Sequence, residues 1–264
     1  MNLIEAIILG IIQGLTEFLP VSSSGHLEIG KVLLGVNAED SLSFTVAVHG
    51  ATVLSTLVVF RKDIATLILG LLKFKWNEET QFIAKIFVSM IPVLIVGFFL
   101  KDYVEGLFTG NLVFVGLMLL VTASLLMISS VIKPKAQKPV GFFDSLVIGF
   151  AQAVAVIPGI SRAGATISTG LILGNRKDEV ARFSFLMVII PILGANLLDV
   201  VKGDFSASSG VGTGAIIAGF VAAFIAGFIA CKWMINIVKK GKLYWFALYC
   251  AIIGIFAIIS TFIF

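Results

Sequence analysis

Six long apolar runs alternate with short polar segments along this chain. They cover residues 42–60, 82–100, 111–132, 180–201, 211–231 and 243–264. Each run is close to the roughly 20 helical residues that cross a hydrocarbon core of about 30 Å. The pattern therefore predicts an all-α integral membrane protein with six transmembrane helices.

Two further apolar segments are each interrupted by a polar motif. Residues 3–35 break at Pro20, and residues 141–174 break at Pro158. The return arm of the first segment, 25–35, would form about 16 Å of helix, which is too short to cross. We therefore expect two re-entrant helix-loop-helix hairpins. The alternative is that each hairpin is a pair of full crossings, which would also return the chain to the side from which it started. Irregular backbone at membrane depth requires surrounding protein or water, so both tips should lie inside the bundle.

The two hairpins carry similar motifs at corresponding places. The matching pairs are Gly10-Gln13 with Gly149-Gln152, and Pro20-Ser23 with Pro158-Ser161. Weak internal similarity in membrane proteins is typical of inverted-topology repeats. The sequence thus predicts one membrane domain, 1–264, built from pseudo-repeats of about 1–132 and 133–264.

The composition agrees with a bilayer as the solvent. Hydrophobic residues make up 59% of the chain, charged residues only 13%, and the mean hydropathy is +1.10. A soluble protein has about 25% charged residues, so this composition excludes disordered chains and ordinary cytosolic enzymes. The net charge of +4 is expected to set orientation rather than to bind nucleic acid. Cys231 and Cys250 lie within apolar runs and are expected to pack there.

The basic residues test the proposed orientation. If each hairpin returns to its own side, 14 basic residues collect on one face and only Lys101 and Lys202 on the other. The 14 are Arg61, Lys62, Lys73, Lys75, Lys133, Lys135, Lys138, Arg176, Lys177, Arg182, Lys232, Lys239, Lys240 and Lys242. The positive-inside rule makes that face cytoplasmic and places both termini on the outer side. The first hairpin then enters from outside and the second from the cytoplasm.

One basic residue cannot reach either interface. Lys31 and Lys85 lie near segment ends and can extend to the headgroups, whereas Arg162 lies at the tip of the second hairpin. A charge at that depth costs about 3 kcal/mol or more and requires a buried partner or an anionic ligand. Glu17, with Gln13 one turn earlier on the same helix face, is the predicted partner. A purely structural ion pair is the alternative.

Polar residues at the tips suggest an anion site. Ser23 and Ser161 precede or begin helices, where capping alone would account for one serine per hairpin. His26 follows Ser23 by three residues, so its imidazole could reach the serine hydroxyl or a bound ligand. Two helix N-termini beside Arg162 favour a phosphate, and Thr166 would add a hydroxyl one turn later. A lipid phosphate or diphosphate, with its tail in the bilayer, would explain an anion site at this depth.

The two motifs together resemble one known family. The tracts are Gln13-Gly-Leu-Thr-Glu-Phe-Leu-Pro-Val-Ser-Ser-Ser-Gly-His26 and Pro158-Gly-Ile-Ser-Arg-Ala-Gly-Ala-Thr166. They resemble the undecaprenyl-diphosphate phosphatase family of the bacitracin-resistance type, and the resemblance covers essentially the whole chain. It implies a bacterial inner-membrane hydrolase that removes the terminal phosphate of undecaprenyl diphosphate and so recycles a carrier lipid of the cell wall.

The resemblance also implies roles for individual residues. Glu17, Ser23, His26 and Arg162 would be catalytic, and Ser161, Arg162, Thr166 and Gln13 would bind the substrate. A divalent cation, Mg²⁺ or Ca²⁺, would be held by Glu17 and Gln13 together with the substrate phosphates. Gln13 is neutral where the family takes Glu or Gln, and Ala163 replaces a usual Ser, so neither a second carboxylate nor that hydroxyl is present.

Two questions stay open from the sequence. The nucleophile is either Ser23, assisted by His26, or a water activated by His26 or Glu17. A secondary transporter or scramblase for an anionic lipid would share the repeats and the anion site, and an inert membrane scaffold is a third reading. Expected partners are the polyprenyl diphosphate substrate and membrane lipids, with a homodimer left open and nucleic acid excluded.

Overall fold

The architecture was taken from a computed structural model, which describes residues 1–36, 42–108, 110–132, 137–201 and 211–262. These residues form a helical bundle. In chain order the helices are α1 (Leu3–Phe18), α2 (Ser23–Leu34), α3 (Leu42–Val59), α4 (Arg61–Leu71), α5 (Glu78–Phe99), α6 (Lys101–Glu105), α7 (Leu112–Val131), α8 (Phe142–Val154), α9 (Arg162–Ile172), α10 (Lys177–Met187), α11 (Ile189–Val201), α12 (Thr213–Lys240) and α13 (Tyr244–Ser260).

The bundle is that of a multi-pass membrane protein. In the described parts of the chain, α5, α7 and α12 are each long and apolar enough to cross a bilayer, and α3 with α4 forms a fourth such unit bent by 71°. Large apolar side chains also face outward all around the bundle, for example Phe98, Ile225 and Phe256. Such an outer surface is stable against lipid tails and not against water.

Most predicted helices lie where the hydropathy pattern places them. The runs at 82–100 and 111–132 correspond to α5 and α7, whereas α12 extends nine residues beyond the predicted end at 231. The run at 180–201 differs, because it consists of α10 and α11 meeting at Val188. Pro191 lies in the first turn of α11, where the absence of its N–H removes no helical hydrogen bond.

Both interrupted segments are helix-loop-helix hairpins. Helices α1 and α2 flank the break at Pro20, and α8 and α9 flank the break at Pro158. The first helix of each hairpin lies against a helix from the other half of the chain, α1 against α12 and α8 against α5. The hairpins are therefore held by long helices distant in sequence, not only by their own return arms.

Glycines allow these contacts to be made by backbone. A Cβ atom at Gly10 of α1 would collide with the carbonyl oxygen of Gly219 in α12, and one at Gly149 of α8 with the carbonyl oxygen of Ser89 in α5. Small residues at such interfaces let helices approach until their backbones touch. Any larger side chain at either glycine would push the hairpin away from its supporting helix.

Polar contacts hold the base of the second hairpin. Asp144, in the first turn of α8, accepts from Lys138 Nζ at 2.8 Å, from Asn175 Nδ2 at 2.9 Å and from the Gly141 N–H at 3.0 Å. Lys138 and Asn175 precede α8 and follow α9 respectively, so Asp144 joins the two ends of the hairpin. These hydrogen bonds therefore fasten the two ends of the hairpin to each other.

Candidate active site

Two neighbouring serines at the tip of the first hairpin, Ser22 and Ser23, have different roles. Helix α1 ends before Leu19-Pro20, and Ser22 serves as the N-cap of α2 by accepting from the Gly25 N–H at 3.3 Å. Ser22 has a φ of 69°, a left-handed conformation that is rare for residues other than glycine. Because Ser22 fulfils the capping role, the hydroxyl of Ser23 is available to another group.

The tip of the second hairpin is built in a related way. Ser161 is the N-cap of α9, accepts from the Gly164 N–H at 3.0 Å and donates its own N–H to Thr122 Oγ1 at 2.9 Å. Gly159 has a φ of 95°, and a Cβ atom there would lie 2.6 Å from the carbonyl oxygen of Val115. Only glycine fits this position, and the turn directs Arg162 into the bundle as the first residue of α9.

The two tips meet, as the sequence predicts. A Cβ atom at Gly25 would lie 3.3 Å from the Cα of Gly159, so the turns of the two hairpins are in contact. Across this contact Arg162 Nη2 donates to Glu17 Oε1, joining residues 145 positions apart. The Glu17 and Arg162 side chains are only 7% and 17% exposed, which makes this the predicted buried ion pair.

Glu17 is the centre of a hydrogen-bonded cluster. Its Oε2 accepts from Ser23 Oγ at 2.6 Å and from Gln13 Nε2 at 2.9 Å, while its Oε1 accepts from Arg162. Three donors on one carboxylate stabilise its ionised form in a poorly solvated place. Four of the predicted site residues are thus within one set of contacts, and the carboxylate is placed to accept the proton of the serine.

Two atoms of this cluster are buried without a hydrogen-bond partner among the described residues. They are Gln13 Oε1, an acceptor, and Arg162 Nη1, a donor. Buried polar atoms nearly always have a partner, so each unpaired one calls for a bound water, ion or ligand. The cluster therefore offers a donor suited to an anion and an oxygen suited to a cation or a water.

A small cavity of about 10 Å³, with room for about one water molecule, opens beside the ion pair. Its lining residues are Glu17, Phe18, Thr52, Val53, Thr56, Arg162, Phe185, Val188, Ile189 and Ile192. The charged end belongs to the hairpins, and the remaining walls come from α3, α10 and the start of α11. The ionic end and apolar walls match the polarity of an amphiphile with an anionic head, and the helices must separate before such a molecule can enter.

Two predicted site residues have other partners than expected. The imidazole of His26 contacts the Ser22 carbonyl through Nδ1 and the Tyr249 hydroxyl through Nε2, both at 2.9 Å, and stacks on the Tyr249 ring. Thr166 donates to the Arg162 carbonyl at 2.8 Å and lies 2.6 Å from Ser184 Oγ. The partner of the Ser23 hydroxyl is therefore Glu17 and not His26. Thr166 joins α9 to α10.

Two further residues of interest were not assigned a role from the sequence. Gln152, the counterpart of Gln13 in the second hairpin, is buried with both amide atoms unpaired among the described residues. His49 of α3 lies within electrostatic range of the Glu17 carboxylate. The internal repeat was a signal for Gln152, and the lone imidazole in an apolar span was the signal for His49.

Comparison with known proteins places this site in a family. Residues 6–256 match the family model described as bacitracin resistance protein BacA. The chain is 55% identical over 264 residues to an undecaprenyl-diphosphatase of Christiangramia forsetii, with 99% of each chain covered. It is 55% identical over 268 residues to that of Bacteroides thetaiotaomicron (98% and 99% covered) and 39% identical over 281 residues to that of Methanosphaera stadtmanae (99% and 99%). With its hairpin tips, buried ion pair and nearly full-length similarity, the chain belongs to the bacitracin resistance protein BacA family.

Proposed function

We propose that this protein hydrolyses undecaprenyl diphosphate to undecaprenyl phosphate and inorganic phosphate within the membrane. This reaction regenerates the lipid carrier used for cell-wall synthesis, and faster recycling of the diphosphate accounts for bacitracin resistance. The relatives named undecaprenyl-diphosphatase cover almost the whole chain. The observation that carries the proposal is a serine donating to a buried carboxylate beside an arginine with an unpaired N–H.

Substrate binding follows from the free atoms of the cluster. The cavity widens as the diphosphate enters it with its head toward Arg162, whose Nη1 donates to a phosphate oxygen. The Ser161 hydroxyl accepts the Gly164 N–H and keeps its proton for a second phosphate oxygen. The N-terminus of α9 adds the positive end of a helix dipole at the same place. The apolar walls hold the first prenyl units.

The reaction proceeds by displacement at the terminal phosphorus. Ser23 Oγ attacks, its proton passes to Glu17 Oε2, and a bond forms between Oγ and phosphorus. The bond from phosphorus to the bridging oxygen breaks, and its electron pair leaves with undecaprenyl phosphate. Water then attacks the phosphoserine, inorganic phosphate departs, and Glu17 returns the proton to Ser23. Positioning and charge stabilisation by Arg162 carry most of the rate enhancement.

His26 and Thr166 contribute by position. His26 links the turn that carries Ser23 to α13 through the Ser22 carbonyl and the Tyr249 hydroxyl. Thr166 fixes the first turn of α9, from which Arg162 projects, to α10. Loss of either residue loosens a tip without removing a group that touches phosphorus.

Direct attack by water, with Glu17 as the base, is the alternative route. Rapid acid quenching during turnover distinguishes the two, because only attack by Ser23 leaves a phosphoserine that mass spectrometry can locate. Near-normal turnover by Ser23→Ala would establish the water route.

A divalent cation fits the residues present. Glu17 and the unpaired Oε1 of Gln13 are oxygen ligands of the kind that Mg²⁺ and Ca²⁺ accept. The described residues contain no cluster of three His, Cys, Asp or Glu side chains for a metal, so phosphate oxygens and water complete this set. The cation would neutralise charge on the diphosphate. Loss of activity in chelator, restored by added Mg²⁺ or Ca²⁺, tests its presence.

The topology we propose has six crossings and two re-entrant hairpins in the bacterial inner membrane. The crossings are α3, α5, α7, the α10–α11 pair, α12 and α13. Helix α13 has 17 residues, or about 26 Å, and α7 has 20, or about 30 Å, both near the hydrocarbon thickness. The exchange of contacts between halves, α1 with α12 and α8 with α5, supports pseudo-repeats of about 1–132 and 133–264. Both termini then lie on the outer side, which labelling of single cysteines in intact cells would test.

The deciding experiment is phosphate release by purified protein in detergent. Wild type should release inorganic phosphate from a long-chain prenyl diphosphate, and Arg162→Ala should lose about 10²- to 10³-fold in kcat/KM. Arg162→Lys retains the charge but not the forked geometry, so it should recover only part of the rate. A transporter or scramblase gives no turnover without two compartments. No release from well-folded wild type, with either cation supplied, would overturn the proposal.

A further inference from the structure

His49 lies on the face of α3 that borders the cavity. Thr52, Val53 and Thr56 of this helix line the cavity, and His49 precedes the first two by three and four positions. Residues with that spacing occupy one helix face, one turn apart. The side chain is half-buried and lies in the electrostatic range of Glu17. His49 is therefore one helical turn before the residues of α3 that line the cavity, on the same face of the helix.

The ring of His49 is held from one side only. Its Nδ1 lies 2.8 Å from the carbonyl oxygen of Thr45, so this nitrogen carries a hydrogen and donates it. Within the described residues, Nε2 makes no hydrogen bond. By contrast, both nitrogens of His26 have partners, the Ser22 carbonyl and the Tyr249 hydroxyl. Of the two histidines, His49 is the one with an edge available to a ligand.

The charges around the cavity leave a deficit when a diphosphate binds. The ionised groups of the cluster are Glu17 and Arg162, which compensate each other. A bound diphosphate monoester adds two to three negative charges in a place with little water. Arg162, the Ser161 hydroxyl, the N-terminus of α9 and a divalent cation offset this charge from the side of the hairpins, and a positive or donating group on α3 would offset it from the opposite side. An imidazolium would provide both, with Nδ1–H to Thr45 and Nε2–H to the ligand.

We infer that His49 is a phosphate-binding residue of this site, donating from Nε2 to an oxygen of the diphosphate on the outer side of the cavity. The inference rests on the proposed function, which supplies the ligand. It adds a group from α3 to a site otherwise built by the two hairpins. The substrate is then bound between the two hairpins and α3, and not by the hairpins alone.

Kinetics of His49 variants test this inference. In His49→Leu the donor is lost, and KM for a long-chain prenyl diphosphate and the inhibition constant of inorganic phosphate should each rise about 10- to 100-fold. His49→Gln keeps an N–H near the position of Nε2 and should recover part of the affinity. Leu54→Ala, on the lipid-facing side of the same helix, is the matched control and should bind as wild type does.

A readout without turnover separates binding from folding. Titration calorimetry with inorganic phosphate should show the same loss for His49→Leu, while its thermal unfolding stays close to that of Leu54→Ala. Unchanged phosphate affinity in both His49→Leu and His49→Gln, with wild type active, would overturn the inference and leave the phosphatase intact. Loss of affinity in His49→Leu with none recovered in His49→Gln assigns the contribution to charge, which also supports it. Inactive wild type overturns the function and this inference with it.

Discussion

Removing the two halves of the buried ion pair should have unequal effects on stability. In Arg162→Ala, Glu17 loses one donor but keeps Ser23 at 2.6 Å and Gln13 at 2.9 Å. A carboxylate can also bind a proton and become neutral. In Glu17→Ala, Arg162 loses its ion-pair partner while its Nη1 is already unpaired. A guanidinium cannot release its proton under these conditions, so its charge stays.

The magnitudes follow from these remaining contacts. Arg162→Ala removes one charge-assisted hydrogen bond, which lowers the free energy of unfolding by about 1.5–3 kcal/mol. Glu17→Ala leaves a buried charge without a counter-charge, which lowers it by about 3–5 kcal/mol. Adding Arg162→Ala to Glu17→Ala removes the stranded charge. The double variant should therefore be more stable than Glu17→Ala alone, by about 1–2 kcal/mol.

Reversible unfolding in mixed micelles, followed by circular dichroism, measures all four proteins. Phosphate release from the same preparations should fall by about 10²-fold or more in every variant, including those that differ in stability. Equal destabilisation by the two single changes would refute the reasoning. A double variant less stable than Glu17→Ala would refute it as well, because the guanidinium would then not have been the unfavourable group.

Three further results are expected. Ser23→Ala should lower kcat by more than about 10³-fold with KM little changed, as measured by phosphate release, and a loss under tenfold contradicts attack by the serine. Gly149→Ala should lower the free energy of unfolding by about 1–3 kcal/mol, because the added methyl group meets a backbone carbonyl of α5. Gly97→Ala has open space at its Cβ and should be neutral or stabilising. Equal unfolding curves for the two variants would argue against the backbone contact. Tyr249→Phe keeps the ring stacked on His26 but removes a hydrogen bond that contributes about 0.5–1.5 kcal/mol, so kcat should fall about 2- to 10-fold at constant KM. Turnover at the wild-type rate would show that this hydrogen bond does not position the tip.

The fold could largely be predicted from hydropathy, because lipid imposes a length and a polarity on each crossing. The helices α5 and α7 and the hairpin breaks at Pro20 and Pro158 lie where the pattern places them. Proline alone is an ambiguous signal, however. Pro92 lies inside α5 without ending it, whereas Pro191 follows the break between α10 and α11. Neighbouring helices decide which proline interrupts a span, and a single sequence carries no record of them.

The candidate site could be predicted only as far as charge demanded it. Glu17 and Arg162 had to meet because neither could remain alone in hydrocarbon, and they do. Hydroxyls and imidazoles are under weaker constraint, since many partners satisfy them. The partners of His26 and Thr166 lie on α13 and α10, and the placement of those helices against the tips is not encoded in local spacing. Spacing identified which residues are near the tips, but not the direction in which each one turns.

The backbone contacts of Gly10 with α12 and of Gly149 with α5 bear on how the enzyme tolerates different membranes. Bilayers vary in thickness by several ångströms, and crossing helices respond by tilting. Each hairpin is fastened to a long helix of the opposite half through main-chain atoms, which have no rotamers with which to yield. A change in tilt therefore carries a hairpin together with its supporting helix. The reacting groups keep their separation while the outer ends of the bundle adapt, and turnover should depend little on acyl-chain length.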